Sequence, residues 1–209
     1  MQFTAALLLG YLIGSIPSAL IAGRILLGVD IRTIGSGNAG ATNLYRVAGL
    51  RPYLAVLAAD IFKGYAATAW VAGAAGPGID ALHAMIACGL AAVIGHIFTL
   101  FAGFKGGKGV ATAAGMMLAL APGPLLAAIV VYLVILYFTS YVSLGSIGAA
   151  VSVPVTLAVS HFALGSTFRV EIQIIAVVMA LLILLTHREN IARLIKGEER
   201  KTGFFGKGP

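Results

Sequence analysis

The chain has 209 residues, 60% of them hydrophobic and 10% charged, with a mean hydropathy of +1.01. A soluble domain carries about 25% charged residues, so a water-exposed surface of this composition is excluded. Fourteen Lys and Arg against seven Asp and Glu give a formal charge of +7, which on a membrane protein points to cytoplasmic loops and anionic lipids or substrates, not to nucleic acid.

Apolar segments at 3–27, 53–75, 81–101, 109–121, 123–140, 143–163 and 170–187 predict seven transmembrane helices, all but the fourth close to the 20 or so residues that cross a bilayer. The class is an all-α integral membrane protein, one polytopic domain over 1–209. The first segment lacks a basic leader and outruns the apolar stretch of a signal peptide, so it reads as a retained span. The fourth is the shortest and meets the fifth at the Ala121-Pro122-Gly123-Pro124 turn. Arg32, Arg46 and Arg51 lie in the first loop, Lys105 and Lys108 in the third, and Arg188, Arg193, Lys196, Arg200, Lys201 and Lys207 in the tail. The opposite-side loops carry Arg169 alone. The positive-inside rule therefore sets the N-terminus outside and the C-terminus in the cytoplasm, a parity that needs an odd number of spans. Every polar, glycine-rich segment then faces the cytoplasm: 28–52, 103–109, 139–143 and the tail from His187.

Taken in chain order, the first loop reads Ile34-Gly35-Ser36-Gly37-Asn38-Ala39-Gly40-Ala41-Thr42-Asn43, with Arg46 one turn on. Glycine lets backbone N–H groups turn inward as an anion-binding nest, and arginine adds a bidentate fork for phosphate. In the second span Asp60 and Lys63 stand three residues apart on one helix face. Charges at that depth mark either a site or a structural pair. Cys88 lies alone in the third span, which excludes an intramolecular disulfide and a cysteine-cluster metal site. His96, at the inner end of the same span, is within reach of a phosphate, whereas His83 and His161 fall on the outer side and receive no role.

The third loop, Gly103-Phe104-Lys105-Gly106-Gly107-Lys108-Gly109, opens a helix at Val110. It is not a Walker A loop, because Ala102 stands where that motif begins with glycine and Gly109 where Ser or Thr would bind magnesium. An anion at the helix N-terminus, with Lys108 as a point charge, fits the pattern. Ser143 opens the sixth span, and Thr186-His187-Arg188-Glu189-Asn190-Ile191 sets a histidine, an amide and charges at the inner mouth of the last. Ile191, Leu194 and Ile195 then recur at helical spacing among basic residues, as in an interfacial helix. No histidine is followed five residues later by aspartate, so the His-x4-Asp base of the common glycerolipid acyltransferases is missing. Seven scattered acidic residues also cannot build a multi-aspartate metal site, so no metal and no cofactor are expected.

The stretches Gly-Ser-Gly-Asn-x-Gly-Ala-Thr-Asn at 35–43, Phe-Lys-Gly-Gly-Lys-Gly-Val-Ala-Thr at 104–112 and His-Arg-Glu-Asn-Ile at 187–191 together resemble the PlsY family, the bacterial acyl-phosphate:glycerol-3-phosphate acyltransferases. Gly14-Ser15-Ile16-Pro17, Asp60, Lys63-Gly64, Gly95-His96 and Tyr141-Val142-Ser143 extend the match over nearly the whole chain. The resemblance implies a seven-helix protein of the bacterial inner membrane with its site facing the cytoplasm. It implies acyl transfer from acyl phosphate to the 1-hydroxyl of glycerol 3-phosphate, giving lysophosphatidic acid and phosphate, the first step of phospholipid synthesis. The expected partners are those two substrates and membrane lipids. Lys108, Ser36, Arg46 and His187 are expected to be catalytic, and Gly37, Asn38, Asn43, Lys105, Gly106, Gly107, Ser143, Asn190 and His96 to bind substrate. Two rival classes are a transporter of phosphorylated metabolites and an acyl-CoA-dependent acyltransferase. The scarcity of polar residues in the outer loops argues against transport, and the short cytoplasmic loops argue against a carrier-bound donor.

Overall fold

A computed structural model describes residues 1–204, so Lys207 of the tail lies outside the described residues. Among those residues every regular element is helical. They form two compact units, Met1–Leu120 and Ala121 onward.

The first unit holds α1 (Gln2–Gly14), α2 (Ser18–Leu27), α3 (Ala41–Ala48), α4 (Leu50–Ala69), α5 (Ala81–Ile97) and α6 (Val110–Leu120). The apolar run expected as one unbroken span is interrupted at Ser15–Pro17 because Pro17 has no N–H to continue the ladder. Carbonyls freed at such a break need partners inside a membrane. Thr99 Oγ1 donates to the Ser15 carbonyl, and Lys63 Nζ donates to that of Ile16 at 3.0 Å. Helices α4 and α6 approach closely because Gly64 faces the Thr112 carbonyl and Gly115 faces that of Ile61, where any Cβ would collide with backbone. Packing of this kind, through small residues, is what holds helices together when lipid removes the hydrophobic drive. Helix α2 ends at Gly28, whose φ of +69° closes the turn in the left-handed region, and the loop toward α3 starts there. Asp80 caps α5 by accepting the N–H groups of Leu82 and His83 at 3.0 and 3.1 Å.

The second unit holds α7 (Pro122–Thr139), α8 (Val142–Leu164), α9 (Val170–Thr186) and α10 (Arg188–Ile195). Helices α7 and α8 pack as a hairpin around Ser140, which takes a positive φ of +62° to make the reversal. Helix α10 bends away from α9 by 62° at His187.

Five segments are long and apolar enough to cross a membrane: Gln2–Leu27, Leu50–Ala75, Ala81–Ala102, Pro122–Thr139 and Val142–Ala163. The bent pair α9–α10 brings the count to six. Helix α6, with 11 residues, extends about 16 Å at 1.5 Å per residue, roughly half the hydrocarbon thickness.

Candidate active site

In the first unit the loop from Ile34 to Asn43 is built around one amide. Asn43 is buried, its Oδ1 accepting the Ser36 N–H at 2.7 Å and its Nδ2 donating to the carbonyls of Ile31 and Ile34 at 2.7 and 3.1 Å. Gly35 and Gly37 adopt φ of +64° and +73° to wrap the chain around it. Asn43 therefore spends its polar atoms on the loop itself. Ser36 and Gly37 are exposed at the tip, Asn38 is half-buried, and Arg46 is half-buried on α3.

The loop from Gly103 to Gly109 is built against the end of α5. The Gly106 N–H donates to the Ile97 carbonyl at 3.0 Å, the Gly107 N–H to that of His96 at 3.1 Å, and the Phe104 N–H to that of Thr99 at 2.8 Å. Lys105 is exposed, Lys108 half-buried, and α6 begins at Val110 directly after Gly109. The expectation that these glycine N–H groups form an anion nest is corrected at four positions. Those of Gly106 and Gly107 go to α5 carbonyls, that of Ser36 to Asn43, and that of Gly37 to the Ile34 carbonyl at 3.1 Å. Folding such tight loops consumes donors internally, so an anion here would be met mainly by side chains and the first turn of α6.

A residue that sequence reading counted only as a topology charge ties the two loops together. Arg32 grips Asp30 through Nε and Nη2, the shortest contact being 2.7 Å, and its Nη1 donates to the carbonyls of Ala102 at 2.9 Å and Lys105 at 3.5 Å. These hydrogen bonds hold the Asp30 carboxyl down at about 2 and raise the Arg32 guanidinium above its ordinary value. Asp30, Arg32, Gly37, Asn38 and Lys105 line an open cleft of ≈ 550 Å³ between the loops; Ser36, Arg46 and Lys108 lie outside its wall. Deeper in the unit, Lys63 Nζ sits 2.9 Å from Asp60 Oδ1, and buried His96 brings Nδ1 to 3.8 Å from the same oxygen.

In the second unit a carboxylate absent from the expectations gathers two residues that were present in them. Glu199 Oε1 accepts from Ser143 Oγ at 2.7 Å and Asn190 Nδ2 at 2.6 Å, and its Oε2 from Arg193 Nε at 2.8 Å. Burial would raise this carboxyl, but the hydrogen bonds from Ser143, Asn190 and Arg193 outweigh it and hold the group below the ordinary carboxylate value. Farther along the tail, the N–H and Oγ1 of Thr202 donate to the Ser140 carbonyl at 2.9 and 3.0 Å. His187 is buried, with Nδ1 2.8 Å from the Ile183 carbonyl. A carbonyl can only accept, so Nδ1 carries a proton. Glu189 is exposed. The signal for Glu199 was slight: one of two adjacent acidic residues, with Glu198, among Lys196, Arg200 and Lys201. Among the described residues no three His, Cys, Asp or Glu side chains cluster as a metal would require.

The family model for glycerol-3-phosphate acyltransferase matches residues 4–197. The glycerol-3-phosphate acyltransferase of Pelodictyon phaeoclathratiforme is 42% identical, with 97% of each chain covered, and that of Chlorobaculum tepidum is 40% identical over 99% of each. Two crystal structures of PlsY, an integral membrane glycerol 3-phosphate acyltransferase, are similar to the chain, each with a TM-score of 0.84 at 36% identity. The glycerol 3-phosphate form covers 99% of this chain and 98% of that one, and the lysophosphatidic acid form 97% and 96%.

Proposed function

The chain belongs to the glycerol-3-phosphate acyltransferase family, and on that premise we propose that it moves a fatty acyl group from acyl phosphate to the 1-hydroxyl of glycerol 3-phosphate. The products are lysophosphatidic acid and inorganic phosphate, and the step opens phospholipid synthesis. The chain works as one acyltransferase domain of seven spans, α6 being the fourth, in the bacterial inner membrane. Its N-terminus lies outside, and its chemistry faces the cytoplasm.

One observation carries the reading: Arg32, just before the first glycine-rich loop, clamps it beside the lysine-bearing second, with Lys105 at the cleft they enclose. Both substrates are phosphate anions, and a cleft of this charge suits bringing them together. The glycerol hydroxyl oxygen attacks the acyl carbonyl carbon, and the tetrahedral intermediate collapses by breaking the bond to the phosphate oxygen. Phosphate is already a good leaving group. Lys108 and the first turn of α6 stabilise the charge that develops on the oxyanion and on the departing phosphate. Ser36 and Arg46 orient glycerol 3-phosphate. The hydroxyl proton passes to a substrate phosphate oxygen. Glu199, already occupied by three donors, supports that choice. The acyl chain lies along the apolar helices.

The test is product formation by purified protein given glycerol 3-phosphate with palmitoyl phosphate or with palmitoyl-CoA. Phosphate release and lysophosphatidic acid with the first donor alone are expected. Activity with the CoA donor alone would overturn the donor, and inactivity with both, alongside glycerol 3-phosphate uptake into liposomes, would replace the enzyme with a transporter.

A further inference from the structure

Three polar residues sit behind the lysine-bearing loop, away from the wall of the open cleft. The side chains of Asp60, Lys63 and His96 are 3%, 6% and 9% exposed. They line a small hollow of ≈ 10 Å³ together with Thr99, Gly106 and Gly107. Burying charged groups in a membrane protein is costly, so a paired set at this depth marks either a site or a structural pair. The contacts run in two directions. Lys63 holds the break between α1 and α2 through the Ile16 carbonyl, and Thr99 holds the same break through Ser15. On the other side, the His96 and Ile97 carbonyls take the Gly107 and Gly106 N–H groups, and a Cβ placed on Gly107 would fall onto His96 Nε2. The imidazole thus stands between the Asp60 carboxylate and the backbone of Gly107, one residue before Lys108.

We propose that Asp60, Lys63 and His96 form a buried positioning unit that sets where the 103–109 loop lies, with the His96 ring as the stop against which Gly107 rests. The Asp60–Lys63 pair keeps that ring and the broken first span in register. None of the three touches substrate; they act through the position of Lys105 and Lys108. The kinetic part of this inference rests on the acyl-transfer reading above.

The experiment is a double-mutant cycle on the full-length protein, pairing Gly107→Ala with His96→Ala. It is read by KM for glycerol 3-phosphate against kcat and by hydrogen exchange of the 103–109 amides. Gly107→Ala alone is expected to raise KM about tenfold and to speed exchange in the loop, whereas in the His96→Ala background it adds no more than about twofold, the non-additivity of groups in contact. Asp60→Asn, which keeps volume and removes charge, is expected to speed exchange in 103–109 while α4 and α5 keep their protection. Additive KM effects, or a loop whose exchange is unchanged in all variants, would overturn the proposal. So would losses confined to kcat, which would put His96 on the reacting atoms. Hydrogen exchange needs no turnover, so a chain inactive with acyl phosphate would sink the reaction while leaving the positioning unit to be judged by exchange alone.

Discussion

In the loop 34–43 the backbone folds inward around the Asn43 amide, which satisfies two carbonyls and one N–H of its own segment. In the loop 103–109, by contrast, the backbone folds outward onto another element, donating the Gly106 and Gly107 N–H groups to the end of α5. The two stretches share a richness in glycine, yet one is held from within and the other from behind. The difference teaches that a glycine-rich loop is not a ligand cradle by composition alone. Where its N–H groups go decides what it can offer; here both loops offer shape, and the cations come from Lys105 and Lys108 on one and from Arg32 and Arg46 flanking the other.

The largest effect expected from breaking this comparison is on the outward-held loop. Lys108→Ala should lower kcat by about 10²–10³, as loss of a donor to a developing oxyanion does, while the purified protein keeps its thermal transition. Unchanged turnover would remove Lys108 from the chemistry. Next comes the inward-held loop. Asn43→Ala takes the acceptor from the Ser36 N–H, an unmet group costing about 1–3 kcal/mol, and strips one of two donors from each of the Ile31 and Ile34 carbonyls. The thermal transition in detergent should fall, and exchange should speed up in 34–43 while 103–109 stays protected. Loss of protection in both loops would mean they are one unit.

A smaller effect is expected at the tie between them. Arg32→Lys should raise KM for glycerol 3-phosphate nearly as much as Arg32→Ala, because an ammonium cannot grip Asp30 and reach the Ala102 carbonyl at once. Full rescue by lysine would reduce Arg32 to a charge. The smallest effects are acid-dependent. Asp30 and Glu199 both have carboxyl values below the ordinary one, so their stabilisation is full above that ordinary value and is lost as pH falls through the lowered one. For Asp30 the window runs from 3.8 down to about 2. Protection of the Thr202 amide should therefore survive mild acid and disappear below the usual carboxylate range, whereas Glu199→Gln should weaken it already at neutral pH. Equal pH profiles for the two proteins would contradict the role of Glu199.

Much of this architecture is legible in residues whose signals are local. Val110 opens α6 directly behind Gly109, Ser140 makes the reversal expected at 139–143, and the three-residue spacing of Asp60 and Lys63 closes to 2.9 Å on one helix face. What is not legible depends on partners far along the chain. The break at Ser15–Pro17 is tolerated because Thr99 and Lys63 arrive to take its carbonyls. The exposed look of Glu199, set among basic residues, conceals a buried acceptor for Ser143, 56 positions earlier. Asn43 reads as a ligand amide by type, but only the folded loop reveals that its donors and acceptor are already taken.

The central claim is that a glycerol hydroxyl displaces phosphate from an acyl carbon. It is tested most directly by supplying palmitoyl phosphate and glycerol 3-phosphate labelled with oxygen-18 at the 1-hydroxyl, and following the label by mass spectrometry. The account predicts the label in the ester of lysophosphatidic acid and none in the released phosphate. Labelled bisphosphate with free palmitate would place the attack at phosphorus and contradict it.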